Sequence, residues 1–167
     1  AVLVGTEAVL HRVGPVDGVA FLDFDQELLA PRFRAAEEAL ALLARASRLV
    51  GGRRRGGRVL VQTRVPQHEA LVAALTADPG RLSVSEAGVR AALRLPPESA
   101  VALVSGEAAA LFVSTLSGVP QTGVEVMGPD RDRWLVRATD HDELSAALTS
   151  VPRPPGRLRI EVDPLRM

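Results

Sequence analysis

The residues best equipped for chemistry in this chain are arginines. Arg45, Arg48, Arg53, Arg54, Arg55, Arg58 and Arg64 place 7 of its 20 basic residues within twenty positions, and no Asp or Glu lies between Glu38 and Glu69. Arg53, Arg54 and Arg55 are adjacent in GGRRRGG, residues 51 to 57. A glycine-flanked loop of three guanidinium groups suits phosphate: each offers a planar fork of donors, and each contact releases condensed counterions. Such contacts position a nucleic acid without reading its bases. The opposing reading is a solvated surface loop. A second set lies near the C-terminus, where Arg133 and Arg137 share one face of a strand and Arg157 and Arg159 share one face of the last strand. On the open face of a sheet these four make a secondary DNA contact. Trp134 and Val136 fall on the opposite face, so the basic face lacks the aromatics that stack bases. The competing reading is a solvated face with its arginines paired to Glu161 and neighbouring acids.

Other chemistry finds few residues to work with. Asp23 and Asp25, two apart and close to Glu27, could hold Mg²⁺ or act as acid and base. No His, Lys or phosphate loop stands near them, so they read as polar groups at a strand end. His11, His68 and His141 have no metal-ligand spacing, and His141, between Asp140 and Asp142, reads as an exposed first-turn residue. The absence of Cys excludes disulfides, thiolate zinc sites and cysteine nucleophiles within these 167 residues. With no Lys there is no Walker A lysine, no Schiff-base lysine and no Ser-Lys pair. No Ser sits in G-x-S-x-G and no Gly-rich dinucleotide fingerprint opens a helix. The sequence therefore offers no catalytic residue, no metal site and no cofactor site of its own.

Composition tempers the arginine signal. Tyr and Asn are also missing and Ile160 is the sole isoleucine, the pattern of a GC-rich genome, which inflates Arg at the expense of Lys. The 20 basic residues balance 20 acidic ones to a net charge of zero, and 47% of the chain is hydrophobic. That is enough for a core, yet no apolar run approaches the roughly 18 residues that span a bilayer. The opening AVLVGTEAVL is short for a secretory signal and lacks its basic start. The expectation is a cytoplasmic protein with no membrane partner, and a piece of a longer chain.

The elements that must carry the arginines follow from periodicity. Ala1 to Val4 reads as a short buried strand ending at Gly5-Thr6, and Gly18 to Asp25 as a strand with Val19, Phe21, Asp23 and Asp25 on one face. Pro31 opens a helix whose stripe Phe33, Ala36, Leu40, Leu43 ends at Gly51. A strand over 58 to 65 and a helix over 68 to 78, stopped by Pro79-Gly80, complete an alternation typical of a parallel α/β sheet. A helix near 85 to 93 runs into Pro96-Pro97, which marks a boundary. The rest reads strand 99 to 105, helix 107 to 117, strand 124 to 127, turn Gly128-Pro129-Asp130, strand 133 to 138, helix 140 to 150 and strand 158 to 162. Asp140 and Glu143 resemble a capping box. This βαββαβ order predicts a ferredoxin-like sandwich.

Six segments taken in order resemble one family, the primosomal replication-restart helicases (PriA, or primosomal protein N-prime). They are VLVGTEAVL (2 to 10), VAFLDFDQELLAPRFRAAEEALALL (19 to 43), GRVLVQTRVPQHEAL (57 to 71), ALRLPPESA (92 to 100), MGPDRDRWLVRA (127 to 138) and LRIEVDP (158 to 164). The resemblance implies a RecA-like helicase lobe ending near residue 79, a helical connector over 80 to 97 and a C-terminal domain over 98 to 167. Gly5 and Thr6 then stand where the family's motif V begins. The family's motif VI, Q-x-x-G-R-x-G-R, falls on residues 45 to 52, RASRLVGG, and neither of its arginines is matched. Those arginines reach the ATP γ-phosphate, and an arginine finger is worth about 10³ to 10⁵ in turnover. The resemblance thus implies fork binding and helicase reloading without a motor of the chain's own, at the nucleoid. Its implied partners are forked or single-stranded DNA, single-stranded DNA-binding protein and primosome proteins. ATP and Zn²⁺ are implied only for family segments upstream of this one. The alternatives are an active ATP-dependent 3′ to 5′ helicase in the full-length protein, and a protein-interaction module without DNA binding.

Overall fold

The computed structural model describes residues 1 to 51, 55 to 120 and 123 to 165. The chain is mixed α/β and divides into two units, Ala1–Glu86 and Ala87–Met167.

In the first unit β1 (Gly18–Phe21) and β2 (Arg58–Val61) pair in parallel, Gly18 opposite Arg58 and Phe21 opposite Val61. Parallel strands need a crossover. Here it contains α1 (Asp25–Leu28) and α2 (Ala35–Leu49), followed after β2 by α3 (Glu69–Thr76). Helix α2 buries Ala36, Ala39, Leu43 and Ala46 at spacings of three and four. The core joins Ala36, Ala39 and Leu43 to Phe24, Leu28, Ala70, Leu71, Ala73 and Leu82, with Phe21, Val59 and Val61 packed against it. The Phe21 and Phe24 rings meet tilted, 4.9 Å between centroids. Leu82 belongs to α4 (Pro79–Leu93).

Several sequence expectations fail in this unit: the helix expected to open at Pro31 starts at Ala35, and the strand expected over 58 to 65 ends at Val61. Ala1 to Val4 is not a strand; Val2, Leu3 and Val4 are exposed, and among the described residues of this unit the run pairs with neither β1 nor β2. The strand expected to reach Asp25 ends at Phe21. Asp23 turns the chain with a positive φ of 59° and Asp25 opens α1, so the two carboxylates do not share a strand face. Pro79-Gly80 does not stop α3. That helix closes at Ala77, φ 54°, where the Asp78 N–H donates to Ala73 O and the Ala77 N–H to Ala74 O. This is the paired hydrogen-bond pattern of a left-handed C-terminal cap. Pro79 instead opens α4, a first-turn position where its missing N–H costs nothing.

The second unit is a four-stranded antiparallel sheet in the order β4-β5-β3-β6, built from β3 (Ala100–Ser105), β4 (Glu125–Asp130), β5 (Arg133–Ala138) and β6 (Arg159–Val162). Helices α5 (Ala109–Ser117) and α6 (His141–Thr149) pack with one face of it. Ala100, Ala102, Val104, Val136 and Ala138 meet Phe112, Leu116 and Leu144 there, with Trp134 at the margin. Asp140 caps α6 by accepting from the Glu143 N–H at 2.8 Å, and Glu143 reaches back to the Thr139 N–H at 3.3 Å, one residue beyond the expected box. The turn expected at Gly128-Pro129-Asp130 lies later. Those residues belong to β4, across a register irregularity, and the chain reverses at Arg131 (φ 47°) and Asp132 (φ 60°) between the paired Asp130 and Arg133. Two positive φ values make this a two-residue hairpin turn whose twist matches the strands.

Candidate nucleic-acid interface

The basic segment lies where α2 ends and β2 begins, the amino-terminal end of the parallel strands. Arg45 and Arg48 fall on the last turns of α2, one turn apart. Arg45 is half-buried and its Nε donates to Leu10 O at 2.6 Å, tying α2 to the 3₁₀ turn Glu7–His11. Thr6 precedes that turn in extended backbone and its carbonyl accepts from the Val9 N–H at 3.0 Å. Gly5 and Thr6 are therefore joined to Arg45 through a single turn, and both are exposed. At Gly51, φ 74°, a Cβ would stand 2.7 Å from Arg55 Cδ, so the glycine gives Arg55 its path as well as the turn. Arg58 starts β2 with its N–H on Asp17 O at 3.2 Å and its side chain outward. Arg53 and Arg54 lie outside the described residues.

Arg48, Arg55 and Arg58 are exposed, and among the described residues none of them forms an ion pair. Elsewhere in this unit Arg12 and Arg64 likewise form no ion pair among the described residues, whereas three other arginines are engaged. Arg32 reaches Glu27 at 3.0 Å and Glu38 at 3.3 Å, Arg81 reaches Glu69 at 2.7 Å, and Arg34 lies over the Phe33 ring at 5.0 Å. The acid-free interval in the sequence thus becomes a set of exposed arginines that form no ion pair among the described residues.

The opposite, carboxyl-terminal end of the strands carries Asp23, Asp25, Thr63 and Arg64. Ligands of open parallel sheets collect at that end, but here the carboxylates are spent on structure. Asp25 accepts from Thr63 Oγ1 at 2.5 Å and from the Arg64 N–H at 3.0 Å, and Thr63 Oγ1 in turn accepts from the Val65 N–H. The Thr63 hydroxyl first, and the Arg64 backbone second, hold the Asp25 carboxyl below its ordinary range. Asp23 accepts from Gln26 Nε2 at 2.7 Å. No group of three or more His, Cys, Asp or Glu suited to a metal ion occurs among the described residues.

In the second unit the four secondary arginines do not behave alike. Arg133 and Arg159 lie opposite Ser105 on either side, in one row across β5, β3 and β6, on the face away from α5 and α6. They edge a groove of about 500 Å³ with Leu103, Ser105, Glu161 and Leu165. Arg133 pairs with Asp130 at 3.7 Å and Arg159 with Glu161 at 2.9 Å, the pairing anticipated for a solvated face. Arg137 is fully engaged: Nε and Nη2 donate to Glu125 at 3.2 and 2.5 Å, and Nη1 to Leu93 O at 3.1 Å. Arg157 precedes β6, so it shares no strand face with Arg159; its carbonyl accepts from the Ala108 N–H. Reading the strand two residues too early produced that pairing.

Two residues of this unit escaped the sequence reading. Arg94 follows α4 and bonds the same Glu125 that Arg137 holds, so two guanidinium groups converge on one carboxylate. They depress the Glu125 carboxyl, Arg137 more than Arg94. Nothing in their separations of 31 and 12 positions marks the triad, which exists only through the register of β4 on β5.

No protein-family model matches the chain. No helix among the described residues is long and apolar enough to cross a membrane.

Proposed function

We propose that this chain is the DNA-contacting C-terminal part of a replication-restart protein of the PriA type, able to grip branched or stalled forks and to help reload the replicative helicase without a motor of its own. One observation carries the DNA contact: Arg48, Arg55 and Arg58 stand exposed on one rim with no acidic partner among the described residues. Unneutralised guanidinium groups at a surface are the ones free to exchange counterions for phosphates.

The architecture is compatible with the rest of the reading. A parallel pair joined by a helical crossover is what the end of a RecA-like lobe would contribute, and the sheet order β4-β5-β3-β6 is the order of a split βαβ, ferredoxin-like domain. In this reading Arg45 serves the fold through Leu10 rather than reaching a nucleotide, in keeping with the unmatched motif VI. ATP, Zn²⁺, single-stranded DNA-binding protein and primosome proteins belong to the full-length assembly.

A second reading has its own support. Val2, Leu3 and Val4 form a run of consecutive exposed apolar side chains in the first unit, which fits protein docking. Fluorescence anisotropy against forked and plain duplex DNA separates the two. Fork preference supports the restart reading, and partner binding that ignores salt, with no DNA affinity, supports the docking module.

A further inference from the structure

The Glu125 triad combines features that a surface ion pair does not need. Glu125 opens β4, and its side chain is 44% exposed, as is 41% of Arg94. Its Oε2 takes two donors from the Arg137 fork, and its Oε1 takes Arg94 Nη1. Both oxygens of one carboxylate are thus held by two separate guanidinium groups, the arrangement that also binds two oxygens of a phosphate. The triad carries two cations to one anion, so a net positive charge remains to attract a phosphate oxyanion.

The position of Arg94 is informative as well. The Leu95 N–H donates to Arg90 O and the Arg94 N–H to Ala91 O, which closes α4 with Arg94 in left-handed backbone, φ 51°. Glycine is the usual residue at such a cap, and a side chain there is sterically disfavoured. An Arg occupies it here and spends its side chain on Glu125. Arg137 is fixed from below by Leu93 O, at the C-terminal end of the same helix. The Arg137 guanidinium is therefore held by the α4 terminus as well as by the carboxylate, while Arg94 is fixed to that terminus through its backbone.

We propose that Arg94 and Arg137 form a phosphate-binding site that Glu125 occupies as an internal stand-in, so that the site is closed until Glu125 swings aside. The site is separate from the rim of the first unit and does not depend on the fork-binding reading. Its ligand chemistry is a phosphate oxyanion, supplied either as a free monoester or by a nucleic-acid backbone.

The test is the thermal stability of the chain in inorganic phosphate and in sodium chloride at matched ionic strength, for wild type, Glu125→Gln and Arg94→Ala/Glu125→Gln. The phosphate-specific rise in Tm should reach half its maximum at about tenfold lower phosphate in Glu125→Gln than in wild type, the ratio worth one charge-assisted hydrogen bond. It should vanish in the double variant. Equal phosphate response in wild type and Glu125→Gln, or an undiminished response in the double variant, overturns the proposal and leaves the triad a structural clamp. Should Glu125→Gln not fold, Glu125→Asp, which shortens the side chain and keeps its charge, must show increased phosphate response for the proposal to survive. An unphosphorylated oligonucleotide, which carries only diesters, assigns the source. Competition with phosphate in Glu125→Gln identifies a backbone, and phosphate binding that the oligonucleotide does not disturb identifies a monoester; either supports the site.

Discussion

The two units use the same cation in opposite ways. On the rim of the first, Arg48, Arg55 and Arg58 face solvent with no acidic partner among the described residues. On the sheet of the second, Arg133, Arg137 and Arg159 each reach a carboxylate, Asp130, Glu125 and Glu161. Codon bias explains why both regions are rich in Arg, and it cannot explain the difference between them. Where acids are interleaved some arginines are neutralised, Arg133 by Asp130 and Arg159 by Glu161, while Arg131 between two aspartates forms no ion pair among the described residues. Within the acid-free stretch 39 to 68, Arg48, Arg55 and Arg58 keep their charge for an outside phosphate, with no ion pair among the described residues.

The comparison rests on two separate cores, and breaking one is the largest effect expected. Phe112→Ala should cost about 3 to 5 kcal/mol by opening a cavity among β3, α5 and α6. Trp134, the sole tryptophan, packs against that core, so its fluorescence should report the loss in urea. Phe24→Ala, in the core of the first unit, should cost a similar amount in helical ellipticity and leave the Trp134 transition in place. Displacement of the Trp134 transition by Phe24→Ala would show the units unfolding as one.

Helix ends give smaller contrasts. Asp140→Ala removes the cap of α6 and should cost about 0.5 to 2 kcal/mol, read from the urea midpoint at Trp134. Ala77→Gly and Arg94→Gly both relieve left-handed backbone at a helix end. Ala77→Gly should stabilise the first unit by roughly 1 kcal/mol. Arg94→Gly should gain less, because it also removes a donor from Glu125. Equal gains at the two positions would mean that the Glu125 bond contributes nothing.

Acid should act on both units with the same sign. Hydrogen bonds from Thr63 and Arg64 lower the Asp25 carboxyl in the folded chain, and those from Arg137 and Arg94 lower Glu125. A carboxyl lowered on folding adds stability above its unfolded value and loses it as pH falls through the folded one. Stability should therefore decline on the acid side of the ordinary carboxylate range. Asp25→Asn and Glu125→Gln should each flatten that limb in urea titrations at stepped pH.

Much of the fold was legible because periodicity reports burial. The stripe of α2, the alternation of β5 and the Asp140 cap all follow from local spacing, and the observed elements match them within a few residues. The misreadings have physical causes. A four-residue apolar run reads as a strand whether or not another strand pairs with it, which is why Ala1 to Val4 misled. Gly128-Pro129 reads as a turn by its backbone preferences, while the hairpin took Arg131-Asp132, whose side chains give little warning of positive φ. The rim was visible as an interval without acids. The Glu125 triad was not, because ion pairs between distant segments are set by strand register rather than by any local pattern.

The central claim is that unpaired, not merely abundant, arginines make the contact. The most direct test is the salt dependence of forked-DNA affinity for the wild-type chain, for the unpaired set Arg48→Ala/Arg55→Ala/Arg58→Ala and for the paired set Arg133→Ala/Arg159→Ala. Each phosphate contact contributes about 0.9 to the slope of log K against log salt, so the rim variant should flatten it by about 2 to 3 and the sheet variant by less than about 1. Equal losses from the two variants, or no affinity of the wild type at low salt, would contradict the claim.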